Sequence, residues 1–155
     1  MSNYLRELRA LVGDRELLLP AAAVVITDPR DRLLLVRQSN TGDWSTVGGM
    51  IEPGESPMVA AARETREEVE ADVDLDRLLG VFGGPGYRVD YPNGHRVAYV
   101  VAAYSASLRS TPRPDGDEVT EIGWFSSGEL AALDLSPLNR TLLVDLGWIT
   151  GSRAT

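Results

Sequence analysis

The chain has 155 residues, of which 43% are hydrophobic and 25% charged, proportions typical of one folded globular domain rather than of a disordered or fibrous protein. It contains no cysteine, no lysine and a single histidine, which excludes disulfides, thiol nucleophiles, Schiff-base lysines and sites built on several imidazoles. The net charge of −8 argues against a long nucleic-acid-binding surface, and the apolar runs are too short to span a membrane.

The first third of the chain contains several predicted elements. Residues 4–12 place leucines at helical spacing before Gly13 and predict a short N-terminal helix. No apolar core follows a basic start there, so we expect no secretory signal and a cytoplasmic location. Two apolar runs, 20–27 and 32–37, flank a turn of Pro and Asp and predict a β-hairpin. Residues 38–56 are rich in Gly, Ser, Asn, Asp and Pro and predict a long loop, of a length that is usually functional or mobile.

Helices and strands alternate in the rest of the chain. Ser56 and Pro57 have the residue types of an N-cap and a first helical position, and they predict a helix over 58–70. The remaining predicted elements are strands over 78–82, 97–108 and 121–125, a capping box at 126–129 and a last helix from Ser136. This mixture predicts a single α/β or α+β domain over 1–155, with its core at about 20–147.

Three glutamates of the predicted helix share one face, because residues three and four apart are neighbours on a helix. These are Glu64, Glu67 and Glu68. One interpretation is a solvated acidic face in which Arg63 pairs with Glu67, since charge runs are usually solvated. The other is a site for Mg²⁺ or Mn²⁺, which prefer oxygen ligands and bridge carboxylates to substrate phosphates. The preceding glycines, which let a ligand approach the main chain closely, favour the second interpretation.

The segment from Gly48 to Ala71 resembles the sequence box of the Nudix hydrolases. That pattern is Gly, five residues, Glu, seven residues, Arg-Glu, an apolar residue, any residue, Glu-Glu, any residue, Gly and an apolar residue. The residues in register are Gly49, Glu55, Arg63, Glu64, Glu67 and Glu68. Thr65 stands where an aliphatic residue is usual, and Glu70 replaces the closing glycine. Glu70 is expected to resist the left-handed conformation that often ends a helix.

The resemblance implies a Nudix-type α-β-α sandwich with a mixed sheet. It also implies that Mg²⁺ or Mn²⁺ is bound by the Gly48 carbonyl and by Glu64, Glu67 and Glu68, with Glu64 also a candidate for activating water. Glu55 and Arg63 are implied to form a buried pair that fixes the loop against the helix. A later strand often adds one more glutamate in this family, for which Glu118 is the first choice and Glu121 the second.

Residues outside the box are candidates for contacting a substrate. Arg37 ends a strand that resembles the family strand whose arginine meets phosphate, and Trp44 precedes the glycines at a familiar distance. Tyr87 and Arg88 lie in a glycine-rich stretch after the box, where they are candidates for stacking on a base or holding a phosphate. Core or loop packing is the alternative interpretation for the aromatic residues.

The function implied by the resemblance is hydrolysis of a pyrophosphate bond in a nucleoside diphosphate linked to another group. Candidate substrates are nucleoside triphosphates, nucleotide sugars, ADP-ribose and dinucleoside polyphosphates. The alternatives are a nucleotide-sensing module without turnover and an RNA 5′-pyrophosphohydrolase, which the lack of a basic track disfavours. We expect a small-molecule nucleotide as partner, no nucleic acid and no membrane, and we leave a homodimer open. Nine acids and two arginines between Glu52 and Asp76 make the acidity local to the box.

Overall fold

A computed structural model of the chain describes residues 2–151. The helices are Asn3–Val12 (α1), Pro57–Val69 (α2), Ser127–Leu130 (α3) and Pro137–Asp145 (α4), with a 3₁₀ turn at Pro85–Tyr87. The strands are Leu17–Ile26 (β1), Leu33–Gln38 (β2), Trp44–Ser45 (β3), Val47–Met50 (β4), Val73–Phe82 (β5), Arg88–Asp90 (β6), Arg96–Leu108 (β7) and Val119–Phe125 (β8).

The strands form two sheets. The larger has the order β4-β1-β7-β5, with β6 also paired to β7, and the smaller has the order β3-β2-β8. The pairing of β1 with β7 is parallel, whereas the pairings of β1 with β4 and of β5 with β7 are antiparallel. The larger sheet is therefore mixed, as expected.

Strand β1 carries the core on both of its faces, because successive side chains of a strand point in opposite directions. Val24 and Ile26 belong to a buried cluster with Ala60 and Val69 of α2. Ala21 and Ala23 belong to a second buried cluster that includes Leu142 of α4. The sheet thus lies between α2 and α4, which confirms the predicted α-β-α sandwich and places α2 over the face that carries the even-numbered residues of β1.

Three sequence-based expectations differ from the structure. The runs on either side of the Pro-Asp turn do not pair as a hairpin, because β1 and β2 lie in different sheets and only a bridge between Thr27 and Leu33 joins them. The stretch 38–56 contains the short strands β3 and β4, and the two glycines of β4 hid its strand pattern. Glu70 does adopt the left-handed conformation, with φ 48° and ψ 34°, so α2 ends there without a glycine.

Helix α1 is attached to its own chain by a buried arginine. The Arg9 guanidinium donates hydrogen bonds to the carbonyls of Gly13, Arg15 and Arg96, at 3.1, 2.7 and 3.0 Å. Arg96 begins β7, so the helix packs against the end of that strand. The homodimer left open by the sequence stays a prediction. No helix within residues 2–151 is long and apolar enough to cross a membrane.

Candidate active site

Helix α2 presents its glutamates at different depths. Its N-cap is Ser56, whose hydroxyl accepts a hydrogen bond from the Val59 amide at 3.3 Å, as the sequence predicts. Glu68 is 4% exposed and lies on the side of the helix that contacts β4. The side chain of Glu64 is 13% exposed and that of Glu67 is 59% exposed. Two of the three carboxylates are therefore directed into the protein, which a solvated acidic helix face does not explain.

Arg63 connects the helix to the preceding loop. Its Nε donates to Oε1 of Glu55 at 2.7 Å, and its Nη2 donates to Oε2 of Glu55 at 2.9 Å, a bidentate pair. Nη2 also donates to the Met50 carbonyl at 3.0 Å, and Nη1 donates to Glu64 and Glu67 at 2.8 and 3.0 Å. The pairing of Glu55 with Arg63 implied by the resemblance is thus present, although both side chains are part-exposed rather than buried.

Glu55 should make the fold sensitive to acid. Hydrogen bonds from Arg63, and one from the Glu52 amide, lower the pKa of Glu55 to about 2. A carboxyl whose folded pKa lies below its unfolded value stabilises the fold above the unfolded value and loses that contribution as the pH falls toward 2. We expect wild type to lose about 1 kcal/mol more unfolding free energy between pH 5 and pH 2.5 than Glu55→Gln, allowing for solvent screening. Urea unfolding at both pH values measures this; equal losses would contradict it.

The glycines of β4 bring the main chain against the glutamates of α2. The Gly48 amide donates to Oε2 of Glu68 at 2.9 Å. A Cβ at Gly48, where φ is 150°, would collide with the Ala22 carbonyl oxygen on β1. A Cβ at Gly49 would lie 2.5 Å from the carboxyl carbon of Glu64. Glycine at position 48 thus allows the close approach of β4 to β1, and glycine at position 49 leaves room for the Glu64 carboxylate of α2.

The two buried carboxyl groups of this region, those of Glu64 and Glu68, have raised pKa values. Burial raises the pKa of Glu64, and it raises the pKa of Glu68 to about 8. The Glu118 carboxylate is near enough to raise both values further. The Glu121 side chain instead pairs with Arg37 at 3.2 Å. This arrangement favours Glu118 over Glu121 as the additional carboxylate.

The residues present fit a magnesium-like cation. Buried carboxylate oxygens with unfavourable mutual charge are hard donors that a divalent cation compensates. Within residues 2–151, however, no three acidic or histidine side chains are close enough together to hold a metal ion by themselves. Arg63 holds Glu67 by one oxygen, and Gly48 holds one oxygen of Glu68. Magnesium does not require an all-protein cage, since it is usually bound by one or two carboxylates, waters and substrate phosphates.

Arg37 and Trp44 lie together on the smaller sheet, where they are paired residues of β2 and β3. The Arg37 guanidinium is 6.0 Å from the centroid of the Trp44 ring. The Trp44 ring meets Phe125 edge-on, with the centroids 5.0 Å apart. Arg37 is exposed and forms an ion pair with Glu121. Its predicted contact with a substrate phosphate requires that this ion pair open, or that the guanidinium bind Glu121 and the phosphate at the same time.

Tyr87 and Arg88 are associated with the larger sheet rather than with the smaller sheet of Arg37 and Trp44. Tyr87 is 2% exposed, belongs to the buried cluster on the α4 side of the sheet and stacks on Phe82 with centroids 6.4 Å apart. Its hydroxyl donates to Asp145 at 2.8 Å. Arg88 pairs with Glu16 at 2.6 Å. The structure gives Tyr87 the packing role that was the alternative interpretation, and substrate binding by this pair stays a prediction.

Two supporting contacts of the site escaped the sequence-based reasoning. The Gln38 amide donates to Glu68 at 3.2 Å, and Asn139 of α4 accepts from the backbone amide of Thr46 at 2.9 Å. Thr46 immediately precedes β4, so Asn139 helps to fix the glycine strand. The one available signal for Gln38 was strand alternation, since a polar residue that follows the exposed Arg37 must point inward.

Comparison with known proteins identifies the family of this chain. Residues 17–146 match the NUDIX domain. The chain is similar to the NAD-capped RNA hydrolase NudC of Stutzerimonas stutzeri (strain A1501), with 28% identity over 159 residues that cover 90% of this chain and 52% of that protein. It is also similar to a putative 8-oxo-dGTP diphosphatase of Bacillus subtilis (strain 168), with 27% identity over 70% of this chain and 67% of that protein. The chain thus spans about half of the NudC relative.

The fold comparison agrees with the sequence comparison. The structure is similar to the crystal structure of a MutT NUDIX hydrolase from Burkholderia pseudomallei, with a TM-score of 0.66 and 26% identity, covering 86% of this chain and 98% of that one. The match to the domain includes the whole segment from Gly48 to Ala71, and the family predicted from that segment is confirmed. The chain belongs to the Nudix hydrolase family.

Proposed function

We propose that this chain is a metal-dependent pyrophosphohydrolase that cleaves a nucleoside diphosphate linked to another group. The observation that supports this most strongly is the meeting of Glu64 and Glu68, both directed inward from α2, with the glycines of β4. A solvated acidic face has no need of buried carboxylates, because burying an acid raises its pKa and costs stability. Catalysis that depends on a cation does need them.

The residues that would hold Mg²⁺ or Mn²⁺ are Glu64, Glu67 and Glu68, with the Gly48 carbonyl and Glu118 as further ligands. When bound, such a cation neutralises diphosphate charge, lowers the pKa of a bound water and stabilises the leaving oxygen. Glu64, which lies between Arg63 and Gly49, is a candidate base for the attacking water.

Other residues of the candidate site act as supports or as substrate contacts. Arg63 holds Glu55 of the loop and two glutamates of the helix, so it keeps the loop and the helix in register. Arg37 is a candidate for binding a substrate phosphate, since guanidinium groups match phosphate geometry. Trp44, half-buried beside it, is a candidate surface for a base or a ribose.

The substrate class is best tested with a panel of nucleotides and purified protein in Mg²⁺. The panel consists of nucleoside triphosphates including 8-oxo-dGTP, ADP-ribose, nucleotide sugars, dinucleoside polyphosphates and an NAD-capped RNA. The proposal predicts cleavage of at least one small-molecule nucleotide at its pyrophosphate bond. Preference for the capped RNA would overturn the expectation that nucleic acid is not a partner. Binding without cleavage across the whole panel would instead establish the nucleotide-sensing alternative.

Removal of divalent cations should lower thermal stability. Cations that bind only the folded arrangement stabilise it by about 2.7 kcal/mol when their concentration is a hundred times Kd. For a chain of this size that corresponds to a rise in Tm of roughly 5–10 °C. Melting curves in EDTA and in Mg²⁺, at matched ionic strength, measure the difference. An identical Tm in the two buffers would count against a cation site among these glutamates.

A further inference from the structure

Gln38 is the last residue of β2 and lies opposite a β-bulge of β8. Arg37 pairs with Glu121 of β8, but Gln38 pairs with Val119, so the register shifts by one residue between them. The extra residue of this bulge is Thr120 of β8, so β8 is the strand that bends, and Arg37 and Gln38 keep the ordinary alternation of side chains along β2. Arg37 is exposed, whereas Gln38 is half-buried. The bulge also brings the Glu118 carbonyl to the Ser39 amide, at 2.9 Å, beside Gln38.

The Gln38 amide is fixed at both of its hydrogens. Its Nε2 donates to Oε1 of Glu68 at 3.2 Å and to Oγ of Ser45 at 3.0 Å. The other oxygen of Glu68 accepts from the Gly48 amide at 2.9 Å. Glu68, 4% exposed, is therefore held at both oxygens by donors from two different strands. Its side chain has little freedom to rotate.

We propose that Gln38 is a positioning residue that orients the Glu68 carboxylate for cation binding, an inference that rests on the proposed function. A neutral amide suits this task, because it donates a hydrogen bond and leaves the negative charge of the carboxylate available. An arginine in its place would form a competing ion pair, and a glutamate would repel Glu68. Groups that hydrogen-bond to a metal ligand restrict its orientation, and their loss typically lowers metal affinity by about 10–100-fold.

The test is cation binding without nucleotide, by titration calorimetry with Mn²⁺, comparing wild type with Gln38→Met. Methionine has similar length and no donor hydrogen, so we expect about tenfold weaker binding. Ser45→Ala removes only the anchor of the Gln38 amide and should weaken binding less. Thr120→Ala, an exposed residue in the same bulge, is the control and should bind Mn²⁺ as wild type does.

A kinetic measurement separates positioning from a general structural effect. In Gln38→Met the Mn²⁺ concentration that gives half the maximal rate should rise about tenfold, while the nucleotide KM at saturating Mn²⁺ stays within about twofold. Melting curves in EDTA establish that the variant is folded; if it is not, Gln38→Asn replaces it in both measurements.

The result that would overturn the inference is an active wild type whose Mn²⁺ affinity is unchanged by loss of the Gln38 amide. Failure of the proposed function looks different, because wild type itself would then neither bind Mn²⁺ nor cleave a nucleotide. Equal rises in nucleotide KM and in the Mn²⁺ requirement would also contradict a positioning role, since they indicate a general disturbance of the site.

Discussion

Replacing Glu67 by glutamine is expected to lower kcat by about 10²–10⁴-fold, the effect of removing a carboxylate that serves proton transfer or cation binding. The substitution should have little effect on the unfolding free energy. The Glu67 side chain is 59% exposed, so its ion pair with Arg63, at 3.0 Å, contributes little to stability, and an amide oxygen can still accept the hydrogen bond. Exposed substitutions of this kind usually alter the unfolding free energy by less than about 0.5 kcal/mol.

Glu70→Gln is the matched control for this variant. Glu70 follows directly on α2 and is exposed, as Glu67 is, but its arginine neighbour, at 3.8 Å, is Arg113 rather than Arg63. Steady-state kinetics in Mg²⁺ should show near-normal kcat for Glu70→Gln and a large loss for Glu67→Gln. A kcat for Glu67→Gln within tenfold of wild type would remove Glu67 from the proposed ligands.

The adjacent glycines Gly48 and Gly49 should respond to alanine in different ways. At Gly48 the new Cβ meets the backbone of β1, including the Cα of Ala23 at 2.9 Å, and the φ of 150° is strained for alanine. We expect Gly48→Ala to lose about 2–4 kcal/mol of unfolding free energy, because backbone within a sheet cannot move aside. At Gly49 the Cβ meets only the end of the Glu64 side chain, which can move.

Gly49→Ala should therefore fold but lose activity. Displacing the Glu64 carboxylate by about 1 Å is expected to lower kcat by about 10²-fold, with a stability change below about 1 kcal/mol. Gly128→Ala is the control, because a Cβ there has no atom within 4 Å. Urea unfolding and kinetics on the three variants test the contrast. Equal stability of Gly48→Ala and wild type would contradict the close approach of β4 to β1, and full activity of Gly49→Ala would contradict its close approach to Glu64 of α2.

Local chemistry explains which parts of the fold were predictable. The start of α2 follows from Ser56 and Pro57, whose cap and ring geometry act within one turn. The capping box of α3 is present as well, since the Ser126 amide donates to Glu129 at 2.7 Å. The pairing of β1 was not predictable in this way, because its partner β7 is distant in the chain and the nearby run β2 was the simpler choice.

In the candidate site, too, local sequence patterns predicted some features, whereas others needed the structure. Helical spacing alone puts Glu64, Glu67 and Glu68 on one face, and the resemblance to the Nudix box gives their implied roles. Spacing does not give depth, so the burial of Glu68 and the exposure of Glu67 needed the structure. Strand alternation turns Gln38 away from the side of Arg37, but its contacts with Glu68 and Ser45 join residues distant in the chain and needed the structure.

The most direct test of the proposed function is a ³¹P NMR time course of wild type with a nucleotide that the panel identifies as a substrate. In Mg²⁺ the pyrophosphate resonances should be replaced by those of two phosphate-bearing products, and EDTA should stop the conversion at once. The chemistry assigned to the α2 glutamates predicts this dependence on cations. Resonances that stay unchanged in Mg²⁺, or that convert equally fast in EDTA, would contradict it.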